Sequence, residues 1–120
     1  MVTEQYKDAI YFSSLFAWHY PNVYKEISDI LVYHHIEHGT LLHTKDYWCR
    51  DYMPIQWGFK SYIQFRYEPD YLTDKPQYKT NIAPVLKAMS SKMDIIQSPL
   101  IVDGGNVVVC EGNSKWWDHV

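Results

Sequence analysis

Two short stretches of this sequence carry residue types that can do chemistry. "TKDYWCRDYMPIQW", residues 44 to 57, sets Trp48, Cys49, Arg50 and Asp51 side by side, and "IVDGGNVVVC", residues 101 to 110, holds Asp103 ahead of a Gly-Gly-Asn turn. Taken singly, each acidic residue has an ordinary explanation. Asp51 can pair locally with Arg50 or Lys45, as surface charges commonly do, and Asp103 can open a tight turn. Taken together, two carboxylates brought to one pocket suit a planar cation with many donors. A guanidinium is the strongest such case, because its fork of N–H groups matches carboxylates bidentately, and Trp48 can wall the same cation with its ring.

Other reactive side chains need a separate reading. Cys49, flanked by an aromatic residue and an Arg, is placed where a thiol pKa can fall, but no base stands beside it to complete a nucleophilic pair. Cys110 ends an apolar run and reads as a buried, inert thiol. The two cysteines have no zinc spacing and are too few for a disulfide framework. His34 and His38 stand four apart, a spacing that can bind a metal on a helix, though a site needs a third ligand and His34 continues an apolar stripe.

The elements that must position the two acidic motifs follow from periodicity. "AIYFSS", residues 9 to 14, reads as a strand. A helix over about residues 22 to 37 carries Val23, Ile27, Ile30, Leu31 and His34 on one face, with Pro21 at its start and Gly39 past its end. "TLLHT" from Thr40 reads as a short buried strand. "YMPIQW" and "KSYIQFRY" form a hairpin around Gly58, and the Pro- and Asp-rich "EPDYLTDKPQYK" is a loop. A second helix over about residues 82 to 91 shows Ile82, Val85, Leu86 and Met89 on one face, with Asn81 as N-cap and Pro84 in the tolerated first turn. "DIIQS" and "LIVDGGNVVVC" supply two or three further strands.

The order strand, helix, strand, acidic loop thus occurs twice. Asp51 follows the end of the first helix at His38 by thirteen residues, and Asp103 follows the second at Ser91 by twelve. The residues do not match one for one, so the expected repeat is architectural, and it predicts equivalent places for the two aspartates.

Composition bounds the rest. The 120 residues are 47% hydrophobic and 17% aromatic, with eleven Tyr and five Trp, enough apolar area for one folded α/β domain rather than a disordered chain. Fourteen acidic against eleven scattered basic residues give a net charge of −3, which argues against a nucleic-acid partner. No signal-like N-terminus or bilayer-length apolar run is present, so no membrane association and a cytoplasmic location are expected.

In combination and in this order, "TKDYWCRDYMPIQ", "FRYEPDYL" and "LIVDGGNVVV" resemble the agmatine deiminase and bacterial-type peptidylarginine deiminase family, within the guanidino-group-modifying superfamily. The resemblance covers most of residues 9 to 112. It implies a pentein fold, in which strand–helix units repeat around a pseudo-fivefold axis; this chain would hold about two of the five, as the N-terminal portion of the domain. It further implies hydrolysis of a guanidino carbon to a ureido group and ammonia, by a Cys nucleophile and a His acid/base, without metal or organic cofactor. Asp51 matches the family's guanidinium-binding aspartate, Trp48 lines the same pocket, and Asp103 matches the acidic residue of the acidic-Gly-Gly motif. Many members have Glu there, orienting the catalytic His; Asp103 is one methylene shorter. Asn106 completes the motif without an assigned role.

The family's catalytic His-x-Asp motif and catalytic Cys lie after the point where this sequence ends. No His-x-Asp occurs in it, and Asp118-His119 has the reverse order. Such a chain is expected to be a truncated form, inactive alone, with Trp116 and Trp117 exposed and strand edges available for self-association. Two further readings stand beside the deiminase: a non-catalytic chain that binds guanidino compounds weakly, and a small α/β interaction domain whose aromatics form a partner surface. Agmatine and peptidyl-arginine share the guanidinium end, so both remain as substrate classes.

Overall fold

A computed structural model describes residues 9–89 and 93–109. The expectations placed on Cys110, Trp116, Trp117 and Asp118-His119 lie outside those residues; the second expected helix, read to about residue 91, stops at Ala88, with Met89 already extended.

Strand β1 (Ala9–Ser13) runs into a short helix α1 (Ser14–His19), and helix α2 (Pro21–Tyr33) leads back to β2 (Glu37–Leu41). The two strands pair in parallel, Ala9 opposite Glu37 and Ser13 opposite Leu41. Ser13 makes the sharp strand-to-helix change workable. Its hydroxyl caps α1 by accepting from the Leu15 N–H at 3.1 Å and also bonds the Thr44 hydroxyl beyond β2. Pro21 then sits at the first position of α2, where its missing N–H leaves no intrahelical bond unmade.

Helix α2 ends at Tyr33, four residues short of the sequence expectation, and the reason is local. His35 adopts a left-handed φ of 56°, so the Ile36 N–H bonds the Leu31 carbonyl and the His35 N–H bonds the Val32 carbonyl. This is a Schellman cap with His where Gly is usual. Gly39, expected past the helix end, lies instead within β2 against the Tyr11 ring, where a β-carbon would approach that ring to 3.3 Å. The strand expected from Thr40 accordingly begins earlier, at Glu37.

The second sheet is mixed. A single helical turn α3 (Cys49–Tyr52) precedes β3 (Ile55–Gln56), which pairs antiparallel with β4 (Ser61–Arg66), Ile55 opposite Ile63. The hairpin around Gly58 forms as expected, although Tyr52 belongs to α3 rather than to a strand. Two 3₁₀ turns cross the Pro- and Asp-rich loop, and α4 (Ile82–Ala88) starts from Asn81, whose side chain accepts from the Ala83 N–H. Strand β5 (Asp94–Ile101) then pairs in parallel with β4, giving the order β3-β4-β5.

One continuous strand therefore replaces the two or three expected, and residues 107–109 form no strand. Pro99 is accommodated because β5 lies at the sheet edge, where a missing donor costs no ladder bond. The class is α/β, with two parallel strand pairs each joined through helix.

The core beneath the acidic motifs is small and aromatic. Tyr52, Tyr67 and Leu72 are buried together, with Cys49, Met53 and Ile82 packed against them. The Tyr52 and Tyr67 rings meet at 5.6 Å in a T-shaped contact.

Candidate functional site

The two acidic motifs, 52 positions apart in sequence, meet in space. Asp103 is the residue before a 3₁₀ turn over Gly104–Asn106, and that turn packs on α3. The Gly105 N–H donates to Asp51 Oδ1 at 3.1 Å. Gly104 is buried directly against the carbonyl of Arg50, so close that a β-carbon there would stand 2.1 Å from the oxygen. A β-carbon on Gly105 would stand 2.3 Å from Asp51 Oδ1. Neither position admits a side chain without movement, so the Gly-Gly pair is what lets the second motif lie against the first.

Tyr52 anchors Asp51 from the other side, a role the sequence reading missed. Only 1% of its surface is exposed. Its hydroxyl donates to the Asp46 carbonyl at 2.9 Å and lies 3.3 Å from Cys49 Sγ. Its backbone carbonyl accepts from Gln64 Nε2, 3.1 Å away on β4. A buried ring at one end of a four-residue helix and a buried amide at its carbonyl fix the turn and hence the direction of Asp51. The available signal was the heavy Tyr content around Asp51 and Tyr67, which periodicity alone does not resolve into contacts.

Both aspartates are half-buried. The Asp103 carboxyl is pushed above the usual 3.8, first by burial and then by the charges of Asp51 and Asp70. Asp46 is raised as well, by burial and by Asp51, against a lowering hydrogen bond from the Trp48 N–H. Burial is the larger cause of both rises; the smaller part contributed by Asp51 reflects negative charges near one another, a field that favours an entering cation. Asp51 makes no ion pair with Arg50 or Lys45 among the described residues. Arg50 is turned away, donating from Nη2 to the Val107 carbonyl at 3.0 Å, and so ties the two motifs together a second time.

Trp48 stands immediately before α3 and is 65% exposed. Its N–H donates to Asp46 Oδ1 at 2.9 Å, and its indole makes no ring contact among the described residues. Asn106 is exposed, and its N–H donates to the Asp103 carbonyl within the turn.

Cys49 does not have the surroundings of a nucleophile. Burial pushes its thiol up and the Asp46 charge adds to the rise, against a lowering contact with Tyr52. The group is thus a neutral thiol at neutral pH. The two-histidine metal reading also fails on geometry. With α2 ending at Tyr33, His38 belongs to β2, where its ring meets the Ser28 hydroxyl and the Ile36 carbonyl, while His34 caps the helix. Among the described residues no three His, Cys, Asp or Glu side chains converge to hold a metal ion, and no helix is long and apolar enough to cross a membrane.

No protein-family model matches the chain, and neither a curated protein nor a solved structure matches it.

Proposed function

We propose that the chain is part of a guanidino-group hydrolase of the agmatine or peptidyl-arginine deiminase type, and that Asp51 and Asp103 hold the guanidinium. The observation that carries the reading is the Gly105 N–H to Asp51 Oδ1 bond, which joins the two acidic motifs; the Asp51 charge also adds to the rise that burial gives the Asp103 carboxyl. Two carboxylates in that relation match the two donor edges of a guanidinium. The succession β1-α2-β2-α3 followed by β4-α4-β5 and the Asp103 turn supports reading the chain as about two units of a pentein. Trp48, exposed next to α3, is available as an aromatic wall.

Deimination breaks a resonance-stabilised C–N bond. It needs a thiolate to attack the amidinium carbon and a proton donor for the leaving ammonia. The half-buried Cys49 thiol, held protonated by its surroundings, does not supply the thiolate. Binding the guanidinium without these groups leaves the barrier in place, because ground-state binding alone does not accelerate the step. The 120-residue chain is therefore expected to bind a guanidinium without turnover.

The test is incubation of purified chain with agmatine and with an arginine peptide, reading ureido product and ammonia, beside a binding titration. No product, with agmatine binding lost in Asp51→Ala, is the expected result. Product formation abolished by Cys49→Ala or Cys110→Ala would overturn the inactive-chain reading and make that cysteine the nucleophile.

A further inference from the structure

A cavity of about 590 Å³ lies between the two sheets, within the roughly 300–1,000 Å³ of small-molecule sites. Tyr11 and Leu41 line it from β1 and β2, and Ile55 and Tyr62 from β3 and β4. Met53, Met89 and Met93 add three thioether side chains to the same wall. Unbranched thioethers adjust to the shape they meet, so such a wall accepts varied apolar groups. Neither Asp51 nor Asp103 lines the cavity, which is a separate place from the guanidinium site.

Two opposite charges border this apolar space. Glu37 opens β2, Arg50 lies on α3, and both are exposed and line the cavity. Among the described residues neither takes part in an ion pair, and the Glu37 carboxylate makes no hydrogen bond. Arg50 gives one N–H to the Val107 carbonyl. A guanidinium has five, so this one is steadied and still able to donate to a carboxylate. Unpaired charges of both signs beside an apolar wall complement a molecule that carries both signs on an apolar body. An alkylamine would meet only Glu37, and a fatty acid only Arg50.

We propose that this cavity is a binding site for a small apolar zwitterion of about dipeptide size, with its ammonium held by Glu37 and its carboxylate by Arg50. The free termini of a dipeptide supply the two charges, and two bulky apolar side chains lie against the methionine wall. The charges are read strictly and the side chains loosely, because the wall is adaptable.

The experiment is calorimetric titration of the full chain with the dipeptide leucyl-phenylalanine, its N-acetyl form and its C-terminal amide, for the unaltered protein, Glu37→Gln and Arg50→Gln. Removing either charge from the ligand is expected to weaken binding to the unaltered chain roughly tenfold or more, as loss of a hydrogen bond between charged groups does. Glu37→Gln is expected to bind the free and N-acetyl forms alike, and Arg50→Gln the free acid and the amide alike. Each ratio is read within one protein, so an overall loss of affinity in a variant does not imitate it. In the unaltered chain labelled with carbon-13 at the methionine methyl groups, the Met53, Met89 and Met93 resonances are expected to move as the free dipeptide is added. If the three ligands bind the unaltered chain equally well, the cavity takes apolar molecules without reading charge and the zwitterion assignment is overturned. If the free dipeptide gives no heat of binding, or binds without moving these methyl resonances, the site itself is overturned.

Discussion

Among the described residues the Asp51 carboxylate is held by the backbone N–H of Gly105, and the space for that contact exists because Gly105 has no side chain. A methyl group there meets the end of a side chain, which can swing away. Gly105→Ala is therefore expected to reduce agmatine affinity while shifting the melting temperature by little, measured by titration and thermal unfolding of the same sample. Asp103 allows a second test with a definite sign. Its carboxyl is raised in the folded protein by burial and by Asp51 and Asp70, so the fold binds its proton more tightly than the unfolded chain does. Stability from this group is complete below the ordinary value of 3.8 and is lost as pH rises through the raised folded value. Asp103→Asn is expected to stabilise the chain at pH 7 and to have no effect near pH 3. A stabilisation that persists at pH 3 would mean the carboxylate field is not its origin. Asp51, Asp103 and Trp48 were picked out as candidates in the sequence because residue type and motif order mark them. Tyr52, Tyr67 and Gln64 were not, because their roles depend on tertiary neighbours that no local period encodes.

Helix ends and turns decide how these residues are presented. Gly104 lies under the Arg50 carbonyl, and here the obstacle is backbone. Gly104→Ala is expected to destabilise the fold by about 1–3 kcal/mol, the range for overpacking a tight contact, seen as a lower urea midpoint with agmatine binding lost in parallel. His35 offers the opposite change. A β-carbon in the left-handed region is strained, so His35→Gly is expected to stabilise the chain by up to about 1 kcal/mol; a lower urea midpoint would show that the His35 side chain has a role the cap geometry does not explain. The same residue explains why the first helix was read too long. The apolar stripe continues to His34, Gly39 is an attractive stop signal, and nothing in the residue type announces that a histidine will take φ of 56°. Strand β5 was read as two segments, residues 94–98 and residues 100 onward, and the structure carries one strand through Pro99 between them, since proline breaks a central strand and is tolerated at an edge. Its place at the edge is a property of the sheet.

At the scale of the whole molecule, much apolar surface is left uncovered. On β5, Ile96, Leu100 and Ile101 are all more than half exposed, and on α2 the same holds for Ile30, Val32 and Tyr33. An apolar strand at a sheet edge is a template for pairing with another chain. Concentration-dependent self-association is expected in sedimentation velocity, and Ile96→Lys is expected to shift it toward the monomer; a monomer at all concentrations would show the edge to be protected. The alternation of strand and helix made the α/β class legible, because each parallel pair needs a crossover and the helical segments lie between the strands in sequence. How the two parallel pairs bring their following loops together was legible only as an expectation from spacing, since contact between Asp51 and Gly105 depends on packing across the chain. The central claim is that Asp51 and Asp103 serve one guanidinium. Its most direct test is agmatine affinity, against that of 1,4-diaminobutane, in Asp51→Asn, Asp103→Asn and the double variant. Each single variant is predicted to weaken agmatine about tenfold or more, as removal of a charged hydrogen-bond partner does, and the double variant to abolish its preference over the diamine. Undiminished agmatine binding in either single variant, or an equal preference for the two ligands in the unaltered chain, would contradict the account.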